Sequence, residues 1–152
     1  NFKKENFFLK TFIFLIFLQI TFGAFTSGLD AGKIYQTWPL MNGYFFPDDL
    51  SKNIFVFSEI FGEPSFVQFI HRKLAYIIFI YLLCISIYVF YKKKSHLYNS
   101  LYFLLTMIFI QITLGIFTLL TGAKILIASM HQISTIFLLI SSIYFYFKCS
   151  RS

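Results

Sequence analysis

An all-α integral membrane protein, a four-transmembrane-helix bundle made of two tandem helical hairpins with pseudo-twofold symmetry, is the fold that the sequence predicts. Composition is the first reason: of 152 residues, 58% are hydrophobic and 22% aromatic, well outside the usual range of soluble domains. The second is the length of the apolar runs. At about 20 residues per helical span they supply four crossings and one substantial loop, with no room for a second, soluble domain. The third is an internal repeat: FLQITFGAFT (Phe17 to Thr26) in the first run and FIQITLGIFT (Phe109 to Thr118) in the third share Phe, Gln, Ile, Thr, Gly, Phe and Thr at the same places. Each copy is followed by an outer loop and then by a histidine near the start of the next run. The chain therefore divides into two like hairpins, and parallel repeats in membranes are commonly related by an axis along the membrane normal.

The first span is expected at about 7–27, with Lys3, Lys4 and Lys10 at its start. Residues 28–65 form a polar loop that holds all three prolines and five of the six acidic residues. Within it, Asp48 or Asp49 could cap a short amphipathic helix running through Phe61, with Ile54, Phe55, Phe57 and Ile60 against the membrane surface. The second span, about 66–91, ends in Lys92, Lys93 and Lys94; the third covers about 97–120. A short turn, TGAK, leads into the fourth, about 125–147, which ends with Lys148 and Arg151.

Basic residues thus cluster at one set of helix ends, against Lys33, Lys52 and Lys124 in the opposite loops. By the positive-inside rule both termini lie inside and the long loop outside. This topology accounts for the net charge of +7, and no nucleic-acid partner is expected. Cys84 lies within a span and Cys149 just past one, outside any CxxC motif, so neither a disulfide nor a redox thiol is expected. The chain starts at Asn1 and its first apolar run lacks a small-residue cleavage site, which reads as a piece of a longer polypeptide. Richness in Phe, Ile, Lys, Asn and Tyr suggests an AT-rich genome and favours a bacterial inner membrane over the mitochondrial one. The 23 Phe and 10 Tyr serve as lipid-facing bulk or core.

Ionisable residues inside a membrane mark function by default. His71 lies about five residues into the second span and His131 about six into the fourth, so at about 1.5 Å per residue both sit roughly 7–9 Å below the outer end. A single such histidine reads as a hydrogen-bonding group between helices. Two at matched depth on repeat-related helices read as a pair facing the central axis. Zinc or copper usually needs three or four N or S ligands, and Cys84 is about 20 Å deeper. Haem needs only two axial histidines.

Gln68, three residues before His71 and on the same helical face, could bond the imidazole, a propionate or a neighbouring helix. Arg72 and Lys73, near the outer interface, suit haem propionates; snorkelling is an equal reading for Lys73 and a lesser one for Arg72. Gln19, Gly23 and Thr26, and likewise Gln111, Gly115 and Thr118, form one small, polar stripe per helix that admits a helix or a flat macrocycle. His96, in KKKSH, reads as a solvated loop residue.

GLDAG (Gly28 to Gly32), TWPLMNG (Thr37 to Gly43), VQFIHRKLAY (Val67 to Tyr76), LGIFTLL (Leu114 to Leu120) and MHQ (Met130 to Gln132) follow in the order and spacing of one family. The chain resembles the C-terminal half of haem A synthase, and the likeness covers nearly all of it. The resemblance implies an oxidoreductase of eight transmembrane helices in two similar halves, which oxidises the C8 methyl of haem O to the formyl group of haem A for cytochrome oxidase biogenesis. It implies that this half holds haem b, with His71 and His131 as iron ligands and Gln68, Arg72 and Gln132 around the cofactor. No catalytic residue is assigned to this half. The family's N-terminal half carries a Glu three residues before its first histidine, where this chain has Gln68, and in some members a loop cysteine pair absent here. The implied partners are the lipid bilayer, the N-terminal catalytic half, haem O synthase and an electron acceptor. The loop, with Asp30, Trp38, Asp48 and Asp49, is expected to cover the outer mouth and shield the propionates.

The rival reading is a stand-alone b-type cytochrome subunit passing electrons between a quinone and a partner. A structural bundle or small transporter is a third, and it leaves the histidine pair unexplained.

Overall fold

The structure, a computed structural model, describes residues 2–49 and 61–151. Among the described residues four long helices occur: α1 (Phe2–Gly28), α2 (Pro64–Tyr91), α3 (Tyr98–Leu120) and α4 (Ile125–Ser150). All four are long and apolar enough to cross a membrane, and the chain is an integral membrane protein. Single-turn 3-10 helices occur at Ala31–Lys33 and Ser95–Leu97. No β-strand occurs among the described residues beyond one isolated bridge, Met41 to Tyr44. The amphipathic helix expected across residues 50–60 lies outside the described residues.

Local chemistry sets the helix ends. Pro64 opens α2, where a missing N–H costs nothing and the fixed φ suits a first turn. α2 closes by sending the Lys93 N–H to the Phe90 carbonyl (3.0 Å) and the Lys94 N–H to the Val89 carbonyl (3.1 Å), with Lys93 left-handed at φ 50. α3 closes the same way, Gly122 N–H to Leu119 (3.1 Å) and Ala123 N–H to Thr118 (2.8 Å), but with a glycine at the left-handed position. That closure turns the chain within TGAK and makes α3 and α4 an antiparallel pair.

The broadest packing is between α3 and α4 and between α1 and α2; α1 also packs on α4, and α2 meets α3 only lightly. The apolar stripes follow the helical period. Leu9, Phe12 and Ile16 of α1 meet Leu74, Ile78, Leu82 and Val89 of α2, with Leu101, Leu104 and Ile108 of α3 and Leu138 and Phe145 of α4, in one core. Buried Ser86, Ser141 and Ser142 each return their hydroxyl to the Leu82 or Leu138 carbonyl of their own helix, so they add no unpaired polar atom to the core. The outward faces are the reverse of a soluble protein's: Phe7 is 67% exposed, Phe109 71% and Ile125 83%, as a lipid environment requires.

The core stops at a common level. Ile16 precedes Gln19 by one turn and Ile108 precedes Gln111 by one turn, while Leu74 follows His71 by one turn and Leu138 follows His131 by two. Above that level polar side chains, Gln68 and Ser65 among them, are buried together with Val67 and the loop's Tyr35 and Met41.

The loop after α1 folds back over this end. Thr37 Oγ1 donates to the Leu40 carbonyl (2.8 Å) and accepts the Asn42 N–H (2.8 Å). Met41 and Tyr44 exchange two backbone hydrogen bonds around Asn42 and Gly43, whose φ values of 49 and 90 suit an Asn-Gly tight turn.

Candidate functional site

Two imidazoles occupy the polar layer in closely similar settings. His71, on α2, faces α1: Gln19 Nε2 lies 3.3 Å from His71 Nε2 and donates to the His71 carbonyl at 3.1 Å. His131, on α4, faces α3: Gln111 Nε2 lies 3.5 Å from His131 Nε2 and donates to the His131 carbonyl at 3.3 Å. The repeated glycines lie beside the same rings. A Cβ added at Gly23 would stand 3.2 Å from His71 Cε1, and one at Gly115 would stand 3.0 Å from His131 Cε1. The absent side chains are therefore what lets each ring lie against its neighbouring helix. Thr26 and Thr118, the outer members of the two stripes, bond back to the Phe22 and Leu114 carbonyls of their own helices and contribute nothing to the rings.

The settings differ in how firmly the glutamine is held. Gln111 Nε2 also donates to Thr135 Oγ1 at 2.7 Å, and its Oε1 accepts the Ser134 hydroxyl. The positions that correspond to Ser134 and Thr135 after His71 are Leu74 and Ala75, and Gln19 Oε1 is buried without a partner. Ser134 and Thr135 were not singled out from the sequence. Their signal was available, since three and four residues past His131 is the same helical face.

α1 ties the two imidazoles into one layer. Gln132, exposed and next to His131, reaches Ser27 Oγ of α1 at 3.5 Å, one turn outward from the glycine that lies against His71. His96 is exposed in the 95–97 turn at the opposite end of the bundle.

Gln68 and Arg72 face the loop. Gln68, 2% exposed, donates its amide to the Tyr35 carbonyl at 3.1 Å and does not bond to an imidazole. Arg72 directs Nη2 to the same carbonyl (2.6 Å) and Nη1 to that of Thr37 (2.8 Å). Gln68 Oε1 and Arg72 Nε are buried without protein partners. Lys73 lies 3.4 Å above the centroid of the Phe45 ring, which pins the loop hairpin to α2 by a cation–π contact.

The role of Tyr35 was not visible in the sequence. Its ring is buried, and its hydroxyl sits between the carboxylates of Asp48 and Asp49 (2.7 Å to Asp49) while accepting the Asp48 N–H at 3.1 Å. Ser65, in the first turn of α2, donates to the other Asp49 oxygen. Burial, reinforced by both carboxylates, pushes the Tyr35 phenol well above its ordinary value. Burial opposes ionisation of Asp49, but the hydrogen bonds from Ser65 and Tyr35 outweigh it and hold the carboxyl below its usual range. Asp30 pairs with Lys33 at 2.7 Å, and Trp38 is 47% exposed.

The donor set is chemically selective. Nδ1 of both His71 and His131 is buried with no protein partner, although a buried polar nitrogen is normally paired. Each ring therefore has one nitrogen next to a glutamine and one open. Among the described residues no group of three or more His, Cys, Asp or Glu could hold a metal ion, so a site needing three protein ligands is not present there. Two imidazoles suit a group that brings its remaining ligands itself, as a porphyrin iron does.

A helical membrane protein with paired imidazoles in a buried polar layer is the class that this architecture defines. The model of the cytochrome oxidase assembly protein family matches residues 3–143, and the chain belongs to that family. It is 41% identical over 149 residues to the "Heme A synthase" of Pelagibacter ubique (strain HTCC1062), covering 98% of this chain and 44% of that one. It is 37% identical over 152 residues to that of Rickettsia africae (strain ESF-5), covering 100% and 45%. Against that of Bartonella henselae it is 38% identical over 133 residues, covering 85% and 36%. The chain thus spans somewhat under half the length of these curated relatives. No solved structure matches.

Proposed function

We propose that the chain is the C-terminal half of a haem A synthase and that His71 and His131 would hold the iron of a haem b. The observation that supports this reading most is the pair of imidazoles, each lying against a helix glycine, each beside a glutamine and each with Nδ1 open. The two settings are alike enough to suit a pseudo-twofold axis between the hairpins.

When bound, haem supplies one-electron transfer at a potential tuned by its axial ligands and burial. The protein's own work is to hold and shield. Gln19 and Gln111 fix the planes of the two rings, and the glycines admit them between helices. Arg72 clamps the loop through Nη1 and Nη2 and keeps Nε for a propionate; Gln68 supports the same loop carbonyl, and Gln132 joins the rim at Ser27. With the loop drawn over the outer end, water is kept from the polar layer. The oxidation of the haem O methyl to the formyl group of haem A belongs to the N-terminal half. This half relays the electrons to an acceptor, in a bacterial inner membrane with both termini inside, and haem O synthase supplies the substrate.

The test is the reduced-minus-oxidised absorption spectrum of the purified chain supplied with haem, alongside His71→Ala and His131→Ala. A low-spin b-type spectrum, lost in either variant, is expected. A spectrum that survives both substitutions would overturn the ligand assignment, and a folded wild-type chain without one would overturn haem binding by this half alone.

A further inference from the structure

The opposite end of the bundle has a cleft that the histidine site does not use. It measures about 670 Å³, within the roughly 300–1,000 Å³ usual for ligand cavities, and lies between α1, α2 and α4. Leu9, Val89 and Phe145 form its base, each no more than 6% exposed, so the hollow is a gap in shape over solid packing. The Tyr81 hydroxyl donates to the Phe8 carbonyl at 3.0 Å and holds α1 to α2 along one wall. Cys84 lines the cleft and is exposed to it.

At the mouth stand Lys92 and Lys94, just past the end of α2. Lys94 Nζ lies 5.5 Å from the centroid of the Tyr88 ring, which also lines the cleft, so its charge is held along the wall. An apolar cleft within the hydrocarbon region is filled by an apolar chain, and two ammonium groups at interfacial depth select an anionic head.

We propose that this cleft binds an anionic phospholipid, with an acyl chain along the apolar wall and the phosphate at Lys92 and Lys94. The site is independent of haem. Lys93, between the two lysines in sequence but not among the lining residues, separates binding in the cleft from general attraction to a basic segment.

The experiment places the full chain in nanodiscs of phosphatidylcholine containing a minor share of phosphatidylglycerol, extracts it into mild detergent, and measures retained lipid by native mass spectrometry. The Lys92→Gln/Lys94→Gln variant is expected to retain phosphatidylglycerol about 25-fold less, from roughly a tenfold factor per 1.4 kcal/mol and about 1 kcal/mol for each of the two interfacial lysines. Lys93→Gln is expected to retain it as wild type does. Cys84→Phe, which fills the cleft without changing charge, is expected to lower retention as well. Equal loss in Lys93→Gln, or undiminished retention in Cys84→Phe, overturns the proposal. Should the double variant fail to fold, these two single variants decide the matter. The haem spectrum is recorded in parallel, and its presence or absence does not bear on the lipid result.

Discussion

Gly115 and His131 are in direct contact: a Cβ on the glycine would stand 3.0 Å from Cε1 of the ring, with Nδ1 at 3.5 Å and Nε2 at 3.6 Å. At Gly23 the nearest atom of His71 is 3.2 Å away and Nδ1 is at 3.8 Å. Alanine gains about 1 kcal/mol over glycine in a helix interior, whereas overpacking costs about 1–3 kcal/mol. The His131 ring is the tighter of the two, so the cost wins there. Gly115→Ala is expected to lower haem content in the absorption spectrum more than Gly23→Ala; equal content in the two variants would contradict this.

The two glutamines are expected to differ in the same direction. Interhelical hydrogen bonds in membranes are worth about 0.6 kcal/mol on average and up to about 1.7. Gln111 links α3 to His131, Ser134 and Thr135, whereas Gln19 links α1 to His71 alone. Gln111→Leu should therefore lower the unfolding midpoint in detergent more than Gln19→Leu, as followed by circular dichroism.

Arg72 grips two carbonyls of the loop with one planar fork, a geometry that a lysine ammonium cannot copy. Hydrogen bonds from charged donors are worth about 1.5–3 kcal/mol each. Arg72→Lys should loosen the loop while leaving the four helices intact. Trp38, the single tryptophan, adjoins Thr37 and reports the change as faster quenching of its fluorescence by iodide.

The Tyr35–Asp49–Ser65 cluster makes loop closure pH-dependent at both extremes. Asp49 has a lowered folded pKa, so its contribution is full above the usual 3.8 and is lost as pH falls through the folded value. Tyr35 has a raised one, so its contribution is full below the usual 10.0 and is lost as pH rises beyond it. Trp38 quenching should stay flat between these limits and rise outside them. Asp49→Asn should remove the acid limb of that profile, and Tyr35→Phe the alkaline limb.

The helices were legible because lipid demands long apolar runs, and the repeat marked Gln19, Gly23, Gln111 and Gly115 as one face per helix. What those glycines approach is more specific than their spacing indicated, since the nearest atoms belong to the imidazoles themselves. The loop was not legible. Tyr35 finds its carboxylates 13 and 14 residues later, and Gln68 finds the Tyr35 carbonyl 33 residues earlier, in a stretch without periodicity. Shared helical face offered Gln68 the imidazole, a propionate or a neighbouring helix, but a buried loop carbonyl in reach takes its amide.

Between the α1–α2 and α3–α4 pairs, the broadest packing is that of α1 against α4. In biosynthesis this separates the first of the four spans from its second neighbour by the time needed to make everything between them. Until α4 is inserted, the flank of α1 that packs on it is without that partner. A nascent chain stalled after α3 would leave His71 beside its glutamine and the opposite imidazole not yet made.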